Sequence, residues 1–479
     1  MHRKLIRTFL IPFFLFFYSN NALFSQNKDE TKLINSTKEK ENLISYKDVN
    51  KIILNNNQEL KSLNELVLSA KFNLNSKLAK RNPTLDFNVN GLPQYQAGRT
   101  YNSNSGNTKT SQLSVNPSLR LKLDLIDPLR GNEIKIAKLN YEVAQNNYDI
   151  KKRDLIQEAR SRYHDLQKSY QDVLNKEITL DLSIQSLKDA ESKLETGIGT
   201  KFEVLEANAQ LTRDKQFLNE KKIQHKINKL ALKEILNIKK DFNIEKKQAI
   251  KGYWTYDLET NLKNGLQSNL SLKNTSIQEK IKQNQAKNFL NANKPKIFIS
   301  NTFSSSFTKG DSLTSTVIDS DEYGSSYTNT ISLNFSWNIF DGGQNKNSSK
   351  SQKASAKAEN FSYVNFQNIL KANINKAHLN LKLNQAKILS TLEEVSSTEE
   401  SLRLSRLRYE VGISTLKDVL IRQKELSDAR SKNIDAIYKY NLNLDQLERL
   451  TLLNINTNCT DQSISIDQSN DQTYSICDI

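Results

Sequence analysis

Two periods alternate along the chain. Ile134, Ala137, Tyr141, Ala144 and Tyr148 step by three and four, and the spacing resumes at Leu155, Ala159, Tyr163, Leu166, Tyr170 and Val173. Near the C-terminus it returns at Leu416, Val419, Leu420, Gln423 and Leu426, then at Ile437, Tyr440, Leu444 and Leu447. A narrow apolar seam with charged flanks, sustained over many turns, predicts coiled-coil helices rather than one stripe on a globular core. Neither glycine nor proline interrupts the stretches between Gly131 and Gly197, between Gly199 and Gly252, between Gly343 and Gly412, or after Gly412. At about 1.5 Å per residue, a helix of about 65 residues reaches about 100 Å, so the sequence predicts a long, thin molecule.

Elsewhere the period is two. In "TISLNFSWNI", Thr330 to Ile339, residues Ile331, Leu333, Phe335, Trp337 and Ile339 alternate with Ser332, Asn334, Ser336 and Asn338. In "SLRLKLDLI", Leu119, Leu121, Leu123 and Leu125 alternate with Arg120, Lys122 and Asp124. Shorter runs follow Pro83 (Leu85, Phe87, Val89) and Pro295 (Ile297, Ile299, Phe303). These predict four antiparallel strands in two pairs, each pair flanking a polar loop at about 98–109 and 309–327.

The order of elements repeats: helix, strand, loop, strand, long helix, glycine turn, long helix, then the same again. Pro83 corresponds to Pro295 and Leu121 to Leu333, both 212 positions apart, and Gly197 corresponds to Gly412, 215 apart. "KLETGIGTKFEVL" at 193–205 is restated as "RYEVGISTLKDVL" at 408–420. The chain is an internal duplication, read as a leader at 1–25, a first repeat at 26–255, a second at 256–453 and a polar tail at 454–479.

Composition sharpens this picture in two places. His2, Arg3, Lys4 and Arg7 precede a short apolar run at Leu10–Tyr18 and then small or polar residues, which is the pattern of a cleaved secretory signal peptide. The run is too short for a membrane anchor, which needs roughly 20 apolar residues. The formal net charge of +16 would suit nucleic acid, but export argues against that partner, and interspersed lysines and glutamates form solvated helix faces. Cys459 and Cys477 are the only cysteines and lie in the tail; pairing in an oxidising compartment is open.

Alternating strands of about 9–11 residues suit a transmembrane β-barrel, although a soluble sheet with one wet face shows the same alternation. Four strands cannot close a barrel, and an open edge in lipid leaves backbone groups unpaired at several kcal/mol each. Three copies supply twelve strands and twelve long helix segments.

The segments "NPTLDFNVNG", "LKLDLIDPLRG", "LNFSWNIFDGG" and the two glycine-turn motifs resemble the TolC-like outer-membrane efflux proteins. That resemblance implies a homotrimer in outer-membrane lipid: a twelve-stranded transmembrane barrel continued by a periplasmic helical barrel. Its implied role is the exit duct of a tripartite efflux or type I secretion system, fed by an inner-membrane transporter and a periplasmic adaptor, with no catalytic residues, cofactor or metal. It places Leu121, Leu123, Leu333, Phe335 and Trp337 against lipid and Arg120, Lys122, Asp124, Asn334 and Ser336 towards the lumen. At the periplasmic tip it implicates Gly197, Thr200, Glu203, Tyr409, Gly412, Thr415 and Asp418. Gly197 and Gly412 suit the left-handed residue that ends a helix, and Thr200/Glu203 and Thr415/Asp418 suit capping boxes. The chain departs from the family at Ile421, where a second tip aspartate stands, and at Ser414, where a tip arginine stands.

An enzyme has little support: His2, His164, His225 and His378 are scattered, and there is no phosphate loop and no HExxH. Two other readings stay open from sequence alone. A periplasmic adaptor would show one helical hairpin among many short strands. A secreted coiled-coil structural protein or adhesin would not need proline-initiated alternating strands.

Overall fold

A computed structural model describes residues 43–103, 106–245, 250–312 and 323–456, with two short strands at 463–464 and 474–475. The first half runs β1 (Leu43–Ile44), α1 (Tyr46–Asn56), α2 (Gln58–Ala79), β2 (Thr84–Asn102), β3 (Gly106–Ile126), α3 (Arg130–Glu195) and α4 (Lys201–Ile235). The second runs β4 (Asn243–Ile244), α5 (Leu258–Ser268), α6 (Leu270–Asn291), β5 (Lys296–Ser312), β6 (Tyr323–Ser336), α7 (Gln344–Glu410) and α8 (Leu416–Thr451). β7 (Ser463–Ile464) and β8 (Tyr474–Ser475) follow. The leader read at 1–25 and both cysteines lie outside the described residues.

The duplication is visible element by element. In both halves the leading helix pair is split at an asparagine in extended backbone. Asn57 accepts from the amide of Leu60 at 3.0 Å and Asn269 from that of Leu272 at 2.9 Å, and each side chain thereby restarts a helix. The descending helices α3 and α7 have 66 and 67 residues, in line with the predicted length. The returning helices are half as long, 35 and 36 residues. They stop where Asn237 and Leu452 turn left-handed, φ 51° and 58°, although neither glycine nor proline marks the place.

The four long strands form one antiparallel sheet in the order β2-β3-β5-β6. Its hairpins run through the segments expected to be loops: Arg99 pairs with Lys109 and Tyr101 with Asn107, while Lys309 pairs with Tyr323. Backbone ladders need no apolar side chains, so polar sequence in register still zips. At the other end the expected strand is too long. The β5–β6 ladder stops at Lys296–Ser336, because Pro295 precedes it and offers no amide. Trp337 therefore lies just past the strand, its indole donating to the Asn293 carbonyl at 2.8 Å. Alternation on β3 also ends early, with Leu125 in a bulge between Asp124–Phe298 and Ile126–Ile297.

Apolar packing is distributed along the molecule. At the waist, Ile44, Val49, Ile53, Leu155, Ala159, Tyr163, Leu232 and Phe242 form one cluster; Leu381, Ile388, Tyr440, Leu444 and Leu447 form another between α7 and α8. A buried polar knot ties α1, α3 and α8 together there. Asp445 accepts from the Tyr46 hydroxyl, lies 3.1 Å from His164 Nε2 and 3.4 Å from Arg160, and Arg160 also reaches Glu448 at 2.5 Å. Burial, then the Asp445 charge, push the Tyr46 phenol above its ordinary range, so it stays a proton donor.

Candidate functional site

The two glycine turns are built alike. At the end of α3, Gly197 has φ +76°; its amide donates to Leu194 O at 3.1 Å and that of Ile198 to Lys193 O at 3.0 Å. At the end of α7, Gly412 has φ +82°, with Gly412 donating to Tyr409 O at 3.1 Å and Ile413 to Arg408 O at 2.8 Å. Both are Schellman caps, whose left-handed residue is favoured as glycine. Capping boxes then start α4 and α8, with Thr200 Oγ1 accepting from the Glu203 amide and Thr415 Oγ1 from the Asp418 amide, both at 3.3 Å. The Asp418 carboxylate accepts from Thr415 Oγ1 and Ser414 Oγ, both at 2.8 Å. The Thr415 hydroxyl first, and then Ser414, hold its carboxyl below the ordinary range. Ser414 thus contacts the acid directly.

Tyr409 lies apart from these exposed groups, buried among Ala190, Ala207, Leu402, Leu416 and Val419. The Lys193 ammonium sits 3.8 Å from its ring centroid and donates to its backbone carbonyl, which joins α3 to α7 just above the turns. Burial, followed by the charges of Glu203 and Asp189, pushes the Tyr409 phenol up to about 12, and its hydroxyl has no hydrogen-bond partner among the described residues. Lys193 was not singled out by sequence: 216 positions separate it from Tyr409. Around the turns Ile198, Phe202, Leu205, Val411 and Ile413 are exposed.

Further from the turns the seam between the hairpins is tied by polar side chains. Gln423 donates to Ser186 Oγ at 2.6 Å, Asn175 to Ser427 O at 2.9 Å and Thr179 to Ser427 Oγ at 3.1 Å. Contacts order the helices α4-α3-α8-α7, so α4 and α7 are the edges, and both carry exposed apolar stripes: Ile223, Ile227 and Leu230 on α4, Leu379 and Leu383 on α7. Ile227 lies 26 residues from the start of α4 at Lys201 and Leu383 27 from the end of α7 at Glu410, about 40 Å in each case.

The sheet is inverted relative to one in a soluble protein. Leu333 is 70% and Phe335 64% exposed, and Leu121 is exposed beside them, with Leu123 on the same face. The opposite face is hydrogen-bonded: Asn334 donates to Ser300 Oγ at 3.1 Å and Ser332 Oγ at 3.0 Å, and Ser306 to Asn116 Oδ1 at 2.7 Å. On that face Lys122 lies 3.3 Å and Lys296 3.6 Å from Asp124, while Arg120 is exposed and Ser336 ends its strand.

The family profile described as "Outer membrane efflux protein" matches residues 50–237 and 262–451, once in each half. The chain belongs to that family. No curated protein sequence matches it. Solved structures of channels share the fold. The outer-membrane channel OprN has a TM-score of 0.72 at 14% identity, over 85% of this chain and 89% of that one. The Campylobacter jejuni CmeC outer membrane channel has 0.68 at 16%, over 90% and 94%. The Vibrio cholerae outer membrane protein VceC has 0.69 at 14%, over 85% and 96%.

Membership places the protein among outer-membrane efflux proteins. No group of three or more His, Cys, Asp or Glu able to hold a metal occurs among the described residues. Each described histidine has a local polar neighbour: His164 has Asp445, His225 has Ser169 at 3.0 Å and His378 has Asn261 at 3.2 Å. No described helix is long and apolar enough to cross a membrane.

Proposed function

We propose that three copies of this chain close head to tail into one duct, a lipid-embedded twelve-stranded barrel above a helical tube. The duct carries substrates outward after an inner-membrane transporter and a periplasmic adaptor deliver them. The observation that carries this reading is the pair of unpartnered edges on both layers. β2 and β6 end the sheet, and α4 and α7 end the helical row with apolar stripes at one height. Different surfaces meeting across one repeated contact make a ring when the rotation closes, and an open sheet edge is not tolerated in lipid.

In this assembly Leu121, Leu123, Leu333 and Phe335 face lipid, with Trp337 at the rim. Arg120, Lys122, Asp124, Asn334 and Ser336 face the lumen, and the glycine turns form the periplasmic entrance. The test is purification from the outer membrane followed by native mass measurement and planar-bilayer recording. A detergent-resistant trimer that conducts is the expected result. A membrane-inserted monomer, or a soluble secreted filament, would overturn the reading.

A further inference from the structure

The two halves of the sheet differ in length at the helical end, and the difference lies in a segment without a partner. Both second strands lead into the same turn. Asp127 accepts from the Leu129 amide at 3.0 Å before α3 starts at Arg130, and Asp341 accepts from the Gly343 amide at 2.9 Å before α7 starts at Gln344, so these positions correspond at a spacing of 214. The first strands start after Pro83 and Pro295, which are 212 apart. The paired rows agree with both spacings, since Thr84 meets Lys122 and Lys296 meets Ser336. On the second strand Leu119, rather than Leu121, is therefore the counterpart of Leu333, a shift of two from the spacing read in the sequence that keeps the same face.

Beyond those rows the halves diverge. β3 continues to Ile126 because β5 lies on its other side: Leu123 pairs with Ile299, Asp124 with Phe298 and Ile126 with Ile297. The counterparts Trp337, Asn338 and Phe340 have no strand partner among the described residues, and Trp337, Ile339 and Phe340 are 51%, 74% and 82% exposed. Their sequence suits a strand. Neither glycine nor proline occurs there, and Phe335, Trp337 and Ile339 keep period two. What β6 lacks is the neighbour that β5 provides for β3. The sheet's other open edge is β2, the counterpart of β5, and its start is bare as well, with Leu85, Asp86 and Phe87 exposed.

We infer that Trp337–Phe340 is the unfinished end of β6, completed by β2 of a second copy in the register of the β3–β5 contact. The inference rests on the duct reading above and adds the register of its strand seam. Carrying the β3–β5 rows over by the two spacings sets Ser336 opposite Asn88 of the next copy, Trp337 opposite Phe87, Asn338 opposite Asp86 and Phe340 opposite Leu85, with Ile339 in the bulge that Leu125 occupies. The side chains agree with this. Trp337 and Phe87 stand on the lipid side as an aromatic cross-strand pair, and on the lumen side the Asn338 amide donates to the Asp86 carboxylate. A slip by one residue would set Trp337 against Asp86 or Asn88 and mix the faces. A slip by two keeps the faces, so the register itself has to be measured.

The test uses the full-length chain with Cys459→Ser and Cys477→Ser, carrying Ser336→Cys together with Asn88→Cys, Asp86→Cys or Asn90→Cys. Outer membranes are oxidised and run on a denaturing gel. Lys122→Cys with Ser300→Cys, the same row within one chain, sets the reference yield of disulfide, read by mass. The Asn88 combination should approach that yield as covalent dimers and trimers. The Asp86 and Asn90 combinations should fall about five-fold lower, because diagonal neighbours stand about 7–8 Å apart and a disulfide needs Cβ atoms at about 3.5–4.5 Å. Hydrogen exchange on the unsubstituted protein gives a second reading: a peptide spanning 337–340 should exchange slowly in the trimer and lose that protection when the trimer is dissociated. If the reference pair does not close, exchange decides alone. Stronger cross-linking through Asp86→Cys or Asn90→Cys, or free exchange across 337–340 in an intact, conducting trimer, overturns the register and leaves the duct standing. A chain that inserts as a monomer overturns both.

Discussion

At the scale of single residues, the tip separates groups that cap from groups that pack. The Asp418 carboxylate closes a capping box and is fully exposed, so in a threefold ring three copies would surround the axis and attract cations. Asp418→Asn, compared with Glu203→Gln in planar bilayers, should weaken cation preference and multivalent block in an intact trimer; unchanged selectivity would leave the acid a cap only. Because its folded pKa is depressed below 3.8, the stability it contributes is present above that range and is lost as pH falls through the depressed value. Protection against hydrogen exchange at the start of α8, corrected for the intrinsic pH dependence of exchange, should therefore fall as pH drops below the ordinary aspartate range. Thr415→Ala should loosen the same turn by about 1 kcal/mol at neutral pH. Tyr409 behaves differently. Its hydroxyl is unpartnered and its ring fills the cluster beneath Lys193. Tyr409→Phe should therefore leave thermal stability unchanged or slightly raised, since an unsatisfied buried hydroxyl is lost, while Tyr409→Ala should cost about 3 kcal/mol or more. A large loss in the Phe variant would show that the hydroxyl gains a partner in the assembled trimer. The capping boxes were legible in sequence because their partners are three residues apart. The Lys193–Tyr409 contact was not, because only the meeting of two distant hairpins creates it.

At the scale of elements, the strands test the face assignment. Asn334 and Phe335 are consecutive on β6 and point to opposite faces, so a lysine at each samples two environments at nearly one height. A charge on the lipid face of a barrel costs about 2–4 kcal/mol near mid-bilayer, less towards the interface. Phe335→Lys should therefore lower the yield of assembled trimer well below that of Asn334→Lys; the reverse order would refute the register. Period two exposed this alternation in the sequence from Ile331 to Ser336 and from Leu119 to Asp124, where composition and pairing agree. It failed at both strand ends for physical reasons. Polar positions such as Arg99 and Tyr101 still pair through their backbones, whereas Trp337 continues the side-chain alternation after the ladder has lost its partner. The long descending helices were legible from uninterrupted seams. The early stops of α4 and α8 were not, since Asn237 and Leu452 take up left-handed backbone without a glycine.

At the scale of the whole molecule, one chain leaves open edges on its sheet and on its helical row. The tie between α3 and α8 uses serine, threonine, asparagine and glutamine along much of its length, while exposed apolar side chains stand on α4 and α7. Burying apolar area contributes about 25 cal/mol per Å²; α3 and α8 keep the two stripes from meeting within a chain, and in the proposed ring they meet between protomers. Ile227 and Leu383 sit at matching distances from their turns. The double variant Ile227→Cys with Leu383→Cys, made in a chain whose Cys459 and Cys477 are changed to serine and oxidised in membranes, should give covalent dimers and trimers on a denaturing gel, up to a closed ring. Each single variant should stay monomeric on the same gel. A ring also predicts that Leu383→Asp weakens assembly while leaving the helix content of the residual monomer intact, as judged by circular dichroism after extraction. If the double variant cross-links only within one chain, α4 and α7 are neighbours in the protomer and the head-to-tail ring is wrong. If it does not cross-link although the trimer forms, the copies meet through other surfaces, and the stripes must be sought as the seat of a different partner.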